Sequence, residues 1–143
     1  MERDEFLKSL GIGLALVCTG SCFTACSKGG DSEEATPNNG TGNTASIDIT
    51  SLANIGSKSK VNGVLFIRIA ASNTLNSFLA TEPACPHEGQ EQLNWVQSEN
   101  KIRCSAHGSE FSSTGSLLVG PATRALKIYN TTLTGTTLTA TKS

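Results

Sequence analysis

The chain has 143 residues, 11 basic and 12 acidic side chains, and a formal net charge of -1 at pH 7. This length favours a single small domain, and the balanced charge argues against a nucleic-acid partner, which would require a basic face. Aromatic residues make up only 5% of the chain, whereas it contains 14 glycines. Together with many Thr, Ser and Asn residues, this composition favours short strands and turns over long helices.

The first segment, residues 1–26, has the pattern of an export signal. A charged stretch precedes an apolar run over about residues 10–17, and small residues then lead to Cys26. The apolar run is too short for a comfortable membrane span and is typical of a signal peptide. "FTAC", which ends at Cys26, resembles a relaxed bacterial lipobox, so we expect an exported, membrane-anchored protein lipidated on Cys26. The alternatives are a cleaved signal peptide without lipid and an uncleaved anchor over residues 9–27.

The next segment, residues 27–45, has almost no apolar side chains. It cannot offset the entropy lost on ordering, and we predict that it is disordered. About 20 such residues span roughly 25 Å, at ~5–6 Å times the square root of their number. We therefore expect a tether that lets a folded head group move over a membrane surface.

Residues 46–143 are predicted to form one all-β domain. Short stretches with alternating or continuous apolar residues are separated by Gly, Pro and Asn, and none shows a sustained helical period. Asn62-Gly63 is expected to turn the chain or to mark a bulge. This spacing favours a β-sandwich or barrel. The candidate strands are residues 46–50, 61–70, 74–81, 93–97, 101–104, 115–120, 124–129 and 136–141.

Each of the two histidines in the chain lies close to a cysteine, as Cys85-x-His87 and Cys104-x-x-His107. A disulfide between the two cysteines would suit an exported protein, but it leaves the histidines unexplained. Two thiolates and two imidazoles can bind either zinc or a [2Fe-2S] cluster. In common Cys2His2 zinc sites, one segment supplies both cysteines and another supplies both histidines. Here each loop offers one cysteine and one histidine. This arrangement gives each of two irons one ligand from each loop.

The whole pattern, C-x-H, sixteen residues and then C-x-x-H, resembles that of the Rieske iron–sulfur family. The flanking stretches "CPHEG", "CSAHGSEF", "STGSLLVG" and "GPATRAL" agree with it, and the resemblance covers roughly residues 46–143. It implies a Rieske-type antiparallel β-sandwich with a small cluster-binding subdomain at about residues 81–122.

The resemblance also implies a set of cofactor-binding residues. Cys85 and Cys104 would hold one buried iron of a [2Fe-2S] cluster, and His87 and His107 would hold the other iron near the surface. Ser109 is expected to join the cofactor-binding residues, because members of the family keep a serine there. Gly120-Pro121 resembles the family's proline loop over a third side of the cluster, although a plain turn is an equal alternative.

The sequence departs from quinol-oxidising Rieske proteins at four positions. Their two extra cysteines, which form a disulfide between the loops, are replaced by Gln90 and Ala106. Glu88 stands where those proteins have an apolar docking residue, and Phe111 replaces a tyrosine that donates a hydrogen bond to a cysteine sulfur. Since such hydrogen bonds favour the reduced cluster, we expect a reduction potential in the middle or low part of the family range.

These observations favour a one-electron carrier that works with redox partner proteins at a bacterial membrane surface. No catalytic residues are predicted, because both histidines are assigned to the metal and no Ser–His–Asp set remains. One alternative is the small Rieske subunit of a larger oxidase or reductase, and another is a zinc-stabilised binding module. Trp95 and Tyr129 are expected in the core, and Arg124 and Lys127 on a solvated strand face.

Overall fold

A computed structural model describes residues 42–143. The predicted export signal, the lipidation site at Cys26 and the predicted linker as far as residue 41 lie outside the described residues. Within residues 42–143 the structure has ten β-strands, three short 3₁₀ turns and no α-helix, and hence no helix able to cross a membrane. The strands are β1 Thr44–Asp48, β2 Lys58–Val61, β3 Val64–Arg68, β4 Phe78–Thr81, β5 Leu93–Val96, β6 Lys101–Cys104, β7 Glu110–Ser112, β8 Leu117–Val119, β9 Asn130–Thr134 and β10 Thr137–Thr141.

The strands form three antiparallel sheets, with the orders β1-β10-β9, β2-β3-β4 and β5-β6-β7-β8. The all-β fold class predicted from the sequence is thereby confirmed. The first two sheets share one apolar core, and the four-stranded sheet packs against a second one. The first core contains Ala45, Ile47, Ile49, Leu52, Val64, Phe66, Phe78, Ala80, Leu138 and Ala140. The second contains Leu65, Ile67, Cys85, Leu93, Ile102, Cys104, Phe111, Ala122 and Leu126.

Strand β3 joins the two cores, because all five of its residues are buried. Successive side chains of a strand point to opposite faces. Val64 and Phe66 accordingly belong to the first core, and Leu65 and Ile67 to the second. A strand that is buried on both faces reads as a continuous apolar run, as "VLFI" does here.

The turn before β3 is formed by the dipeptide that the sequence marked. Asn62 and Gly63 both have positive φ angles, of 45° and 73°, and Val61 pairs with Val64 across the turn. Two residues with positive φ match the right-handed twist of the flanking strands. The dipeptide is therefore a two-residue hairpin turn and not a bulge.

Several elements differ from the sequence expectation. The candidate strand at 61–70 is interrupted by the hairpin turn, and the one at 74–81 is a strand only from Phe78. Strand β1 begins at Thr44, so its first two residues precede the predicted start of the domain at residue 46. The predicted strand at 124–129 is wrong, because this segment forms only an isolated bridge, between Ile128 and Thr81. Its last three residues lie along the end of β4, where Tyr129 N–H donates to Ala80 O and Glu82 N–H donates to Lys127 O, whereas Leu126 N–H donates to Gly115 O.

Candidate metal centre

The two Cys–His pairs lie in two loops with the same local structure. The first loop joins β4 to β5, and Cys85 O accepts a hydrogen bond from Gly89 N at 2.9 Å. The second loop joins β6 to β7, and Cys104 O accepts from Gly108 N at 2.9 Å. Both glycines have positive φ angles, of 72° and 82°, which residues with a Cβ rarely adopt. Each cysteine therefore begins a single tight turn that its glycine closes, with the histidine inside the turn.

The two cysteines meet in the second core. Both thiols are buried and neither forms a disulfide, so the disulfide alternative is not found in the structure. The thiols lie within hydrogen-bond distance of each other, and the Cys85 sulfur also accepts hydrogen bonds from the His87 N–H and the Ser109 hydroxyl. Burial raises the pKa of the Cys85 thiol, and the neighbouring Cys104 thiol acts in the same direction. Without a positive partner, this pocket therefore disfavours the thiolate form.

The two histidines lie edge to face beside the cysteines, with ring centroids 5.0 Å apart and an angle of 81° between the ring planes. Their side chains are 24% and 43% exposed for His87 and His107. The structure thus brings both Cys–His pairs to one end of the domain, with the sulfur atoms inside and the imidazoles at the surface.

The Nδ1 atom of His87 supplies a test of whether this site fits a metal group. It is buried and has no hydrogen-bond partner in the described structure. A buried polar atom without a partner costs free energy, and most such atoms in proteins are satisfied. An imidazole nitrogen and two thiols that share one pocket are ligands for iron and zinc, and bound metal would satisfy them. The residues present therefore fit a metal centre.

Ser109 links the cysteines to a third segment. Its fully buried hydroxyl accepts a hydrogen bond from Ala122 N at 3.0 Å, besides donating to the Cys85 sulfur. Ala122 follows Gly120-Pro121, whose peptide bond is cis. The segment around Pro121 therefore lies against the metal pocket, as expected for a proline loop, and is more than a plain surface turn.

Gly115 holds the chain at Leu126, at the end of the third segment (residues 120–126). Gly115 O accepts from Leu126 N at 2.8 Å, and a Cβ on Gly115 would lie only 2.2 Å from the carbonyl oxygen of Leu126. Only a glycine permits this backbone approach. The close contact fixes the path by which residues 120–126 pass the pocket.

Sequence reasoning missed an ion pair between the first loop and the third segment. The Glu82 carboxylate accepts from Arg124 Nη1 at 2.7 Å, from Arg124 Nη2 at 3.0 Å and from Lys127 N at 2.9 Å. Burial opposes ionisation of Glu82, but the Arg124 guanidinium and the Lys127 N–H more than offset it, so the pKa of Glu82 is lowered. Arg124, predicted to lie on a solvated strand face, is exposed as expected but lies outside any strand, and it joins two segments of the site. Its partner is 42 positions away in the chain, and no local pattern identifies it.

Glu88 lies between the two histidines at the surface. Its carboxylate oxygens are 3.9 Å from His87 Nε2 and 3.6 Å from His107 Nε2. The two nitrogens that face outward are therefore close to one carboxylate. The expectations for Trp95 and Tyr129 hold in part, since both are partly buried and pack against the second and first core respectively.

Comparison with known proteins gives a consistent family. A model described as the Rieske [2Fe-2S] domain matches residues 55–130. The cytochrome b6-f complex iron-sulfur subunit of Synechococcus elongatus is 28% identical over 85 residues, which cover 57% of this chain and 46% of that protein. The cytochrome b6-f complex iron-sulfur subunit 1 of Nostoc is 26% identical over 140 residues, covering 90% of this chain and 77% of that protein. The chain thus spans about half the length of the first of these relatives.

Solved structures agree on the fold. The cyanobacterial plasma membrane Rieske protein PetC3 from Synechocystis PCC 6803 is 29% identical, with a TM-score of 0.52 over 65% of this chain and 93% of that one. The ferredoxin of carbazole 1,9a-dioxygenase from Nocardioides aromaticivorans is 18% identical, with a TM-score of 0.55 over 68% of this chain and 94% of that one. At that identity, the second likeness concerns the fold alone.

Proposed function

Because the chain belongs to the Rieske [2Fe-2S] family, whose cofactor is a [2Fe-2S] cluster, we propose that it carries single electrons between proteins at a bacterial membrane surface. The observation that carries this proposal is the meeting of two buried thiols and two surface imidazoles in two like-folded loops. The family assignment gives no support to the zinc-stabilised module considered from the sequence.

Cys85 and Cys104 are the proposed ligands of one iron, and His87 and His107 those of the other. Burial of both cysteines and the unpartnered Nδ1 of His87 support this division into an inner sulfur side and an outer nitrogen side. The bound cluster supplies the ability to accept and release one electron. Two neutral imidazoles in place of thiolates leave it less negatively charged, which is why Rieske potentials exceed those of plant-type ferredoxins.

The protein controls access to the site through exposure. The second core covers the cysteines and excludes water from the sulfur side, whereas the half-buried histidines reach the surface. A partner therefore approaches the site most closely through the imidazoles. Ser109 is the proposed modulator of the cluster, because its hydroxyl donates to the Cys85 sulfur and stabilises the negative charge that an extra electron adds.

The potential is expected in the middle or low part of the Rieske range. Phe111 is fully buried in the second core and carries no hydroxyl that could donate to a sulfur. Of the serine and tyrosine hydroxyls that donate to sulfur in quinol-oxidising Rieske proteins, this chain therefore has only that of Ser109. Redox titration of the purified protein measures this directly, and a midpoint near the top of the family range contradicts it.

The proposed location is a membrane surface reached by export, either periplasmic or on the outside of the cell. Residues 1–26 would serve as the signal, lipid on Cys26 as the anchor and residues 27–45 as the tether of a Rieske domain over 46–143. The apolar run and the small residues before Cys26 support this arrangement. Replacing Cys26 by Ala should move the protein from the membrane to the soluble fraction. Mass spectrometry of the wild-type N-terminus should detect the acyl chains.

A second candidate is a small subunit of a larger redox complex. The curated relatives named above are subunits of the cytochrome b6-f complex, which favours this alternative. Gentle detergent extraction followed by affinity purification distinguishes the two. A carrier is recovered alone, and a subunit is recovered with a large partner chain in fixed ratio.

The cofactor assignment is tested by spectroscopy. The full-length protein should be red-brown, should contain two irons and two acid-labile sulfides per chain, and should give a mixed-valence EPR signal when reduced. A colourless protein that contains zinc and gives no EPR signal would refute the proposed function.

A further inference from the structure

The charge at the histidine end of the molecule is not compensated. The Glu88 side chain is 55% exposed, and its oxygens lie 3.9 Å and 3.6 Å from the Nε2 atoms of His87 and His107. Both distances exceed those of hydrogen bonds. The carboxylate is therefore near both imidazoles but is tied to neither, and its charge remains available to a partner.

The other glutamates that the structure describes are all neutralised by a basic side chain within 4.0 Å. Their pairs are Glu82 with Arg124, Glu91 with Lys60, and Glu99 and Glu110 with Lys101. Among the glutamates of residues 42–143, Glu88 alone has neither a lysine nor an arginine at that distance. The one glutamate among residues 42–143 without a lysine or arginine at that distance thus lies at the two residues through which we propose that electrons leave.

An exposed apolar pair lies beside the second Cys–His loop. Leu118 and Val119 are 54% and 49% exposed, and they belong to β8, the edge strand of the four-stranded sheet. Val119 pairs with Glu110, the residue after Ser109 at the end of the second loop. Ala122, a few residues further on, is held by the Ser109 hydroxyl. This apolar pair therefore flanks the second Cys–His loop.

We propose that Glu88, together with the exposed Leu118 and Val119 of the strand that pairs with the end of the second Cys–His loop, forms a docking surface for a redox protein whose own electron-transfer face carries lysines or arginines. Apolar contact and an unpaired charge are the two components of a transient electron-transfer interface. A negative charge at the contact point raises the association rate of a cationic partner and lowers that of an anionic one. This inference rests on the proposed function, because it requires electrons to leave through His87 and His107.

Small inorganic oxidants test the local charge at this exit. The reduced, full-length, cluster-containing protein gives one electron to tris(phenanthroline)cobalt(III), forming cobalt(II), or to hexacyanoferrate(III), forming hexacyanoferrate(II). Stopped-flow rate constants are measured at low ionic strength for wild type and for Glu88→Gln. Removing a unit charge a few ångströms from a trivalent probe should slow the cationic oxidant and accelerate the anionic one, each by about fivefold after partial screening. A shift in midpoint potential changes both rates in the same direction and cancels in their ratio.

Glu91→Gln is the matched control. It removes the same charge from the same loop, but Glu91 pairs with Lys60 at 2.6 Å and lies away from the histidine nitrogens. We expect the ratio of the two rate constants to change about 25-fold in Glu88→Gln and less than twofold in Glu91→Gln. Equal changes in both variants would mean that only the net charge of the protein matters, and this would overturn the inference.

A protein acceptor tests the partner itself. A basic cytochrome c and the same cytochrome with acetylated lysines, which have lost their charge, serve as probes. Wild-type protein should reduce the native cytochrome faster, and the advantage should disappear at 0.5 M salt and shrink in Glu88→Gln. Equal rates with both cytochromes in wild type overturn the inference, and this comparison requires no variant to fold.

The failure of this inference is distinguishable from that of the proposed function. If the wild-type protein shows no mixed-valence EPR signal, the proposed function and the docking surface both fail. If the signal is present but the ratio of rate constants is unchanged in Glu88→Gln, the docking surface alone fails.

Discussion

The two ends of the domain are held together in different ways. The sandwich of β1-β10-β9 and β2-β3-β4 has continuous antiparallel ladders and a fully buried apolar core. At the metal end, three loop segments pack on the second core, and a small number of polar contacts, made by Ser109 and Glu82, join them to each other. The comparison indicates that the sandwich folds by its own packing. The metal end instead depends on a bound group to keep two buried thiols and a buried imidazole nitrogen together.

Each end also contains one charged side chain that organises a loop: Arg68, which is buried, and Glu82, which is partly buried. In the sandwich, Arg68 donates to the carbonyl oxygens of Leu52, Ala70 and Ala71 at 2.9, 3.0 and 2.6 Å. At the metal end, the Glu82 carboxylate accepts from Arg124 and Lys127. Arg68 and Glu82 hold separate loops. Substituting one of them should therefore leave the loop held by the other unchanged.

The largest effect is expected from removing a proposed ligand. Cys85→Ser or Cys104→Ser should abolish the cluster completely, because a serine hydroxyl binds iron much more weakly than a thiolate does. If the two ends are independent, the far-ultraviolet circular dichroism of the β-sheet should persist. Iron content, the visible spectrum and circular dichroism measure both outcomes.

Cys22→Ser is the control for this experiment, since the residue lies in the predicted export signal. It should leave the iron content at the wild-type value. A ligand variant that loses its β-sheet signal together with its iron would contradict the independence of the sandwich from the metal end.

The second effect concerns the sandwich. Arg68→Met leaves the buried carbonyl group of Leu52 and the partly buried ones of Ala70 and Ala71 without their donor, and we expect it to lower the free energy of unfolding by about 3 kcal/mol. Urea denaturation of the cluster-containing protein measures this loss, while the EPR spectrum should be unchanged. The exposed residue Arg103 provides the control, because Arg103→Met should change stability by less than about 0.5 kcal/mol. An altered EPR spectrum in Arg68→Met would show that the two ends are coupled.

The sequence was most informative where one local pattern decides the structure. The candidate strand at 61–70 contains β3, and Asn62-Gly63 was expected to be a turn or a bulge and is a turn, since both features depend on neighbouring residues. The spacing of the two Cys–His pairs indicated the [2Fe-2S] cofactor, because few other sites combine one thiolate and one imidazole in each loop.

Features that depend on distant contacts were not predictable. Strand β9 has the sequence "NTTLT" and no apolar alternation, and it is a strand because β10 pairs with it across a short turn. Residues 124–129 have the alternation of a strand, but their hydrogen bonds are divided between Gly115 and the end of β4, at Ala80 and Glu82. Tertiary context therefore overrode local propensity in both directions.

The third effect tests the Glu82 ion pair at the metal end. Glu82→Gln should lower the free energy of unfolding by about 1 kcal/mol at pH 7, because it removes a charge-assisted contact to a partly exposed arginine. The pKa of Glu82 is lowered in the folded protein, so its contribution is complete above the unfolded value of about 4.3 and is lost as the pH falls through the folded value. The difference between wild type and variant should therefore shrink in acid. Urea titrations from pH 7 to pH 3.5 measure it.

Glu91→Gln again provides the comparison, because the pair of Glu91 with Lys60 is exposed on both sides. Its loss should cost less than about 0.5 kcal/mol. If the two variants are equally destabilised at pH 7, the Glu82 pair has no special role in holding the third segment to the first loop.

The smallest expected effect is on the reduction potential and concerns the donors near the Cys85 sulfur. Ser109→Ala removes one hydrogen bond to that sulfur, which disfavours the reduced state and should lower the midpoint by some tens of millivolts, at ~59 mV per tenfold change in a one-electron equilibrium. Phe111→Tyr should shift it in the opposite direction if the added hydroxyl reaches a sulfur from its buried position in the second core. Ser112→Ala, whose hydroxyl bonds to Thr114 on the exposed side of the sheet, should leave the midpoint unchanged. If Ser109→Ala and Ser112→Ala give the same midpoint, the potential is set by the ligands and their exposure alone, and the polar contacts of the metal end serve only to hold its loops together.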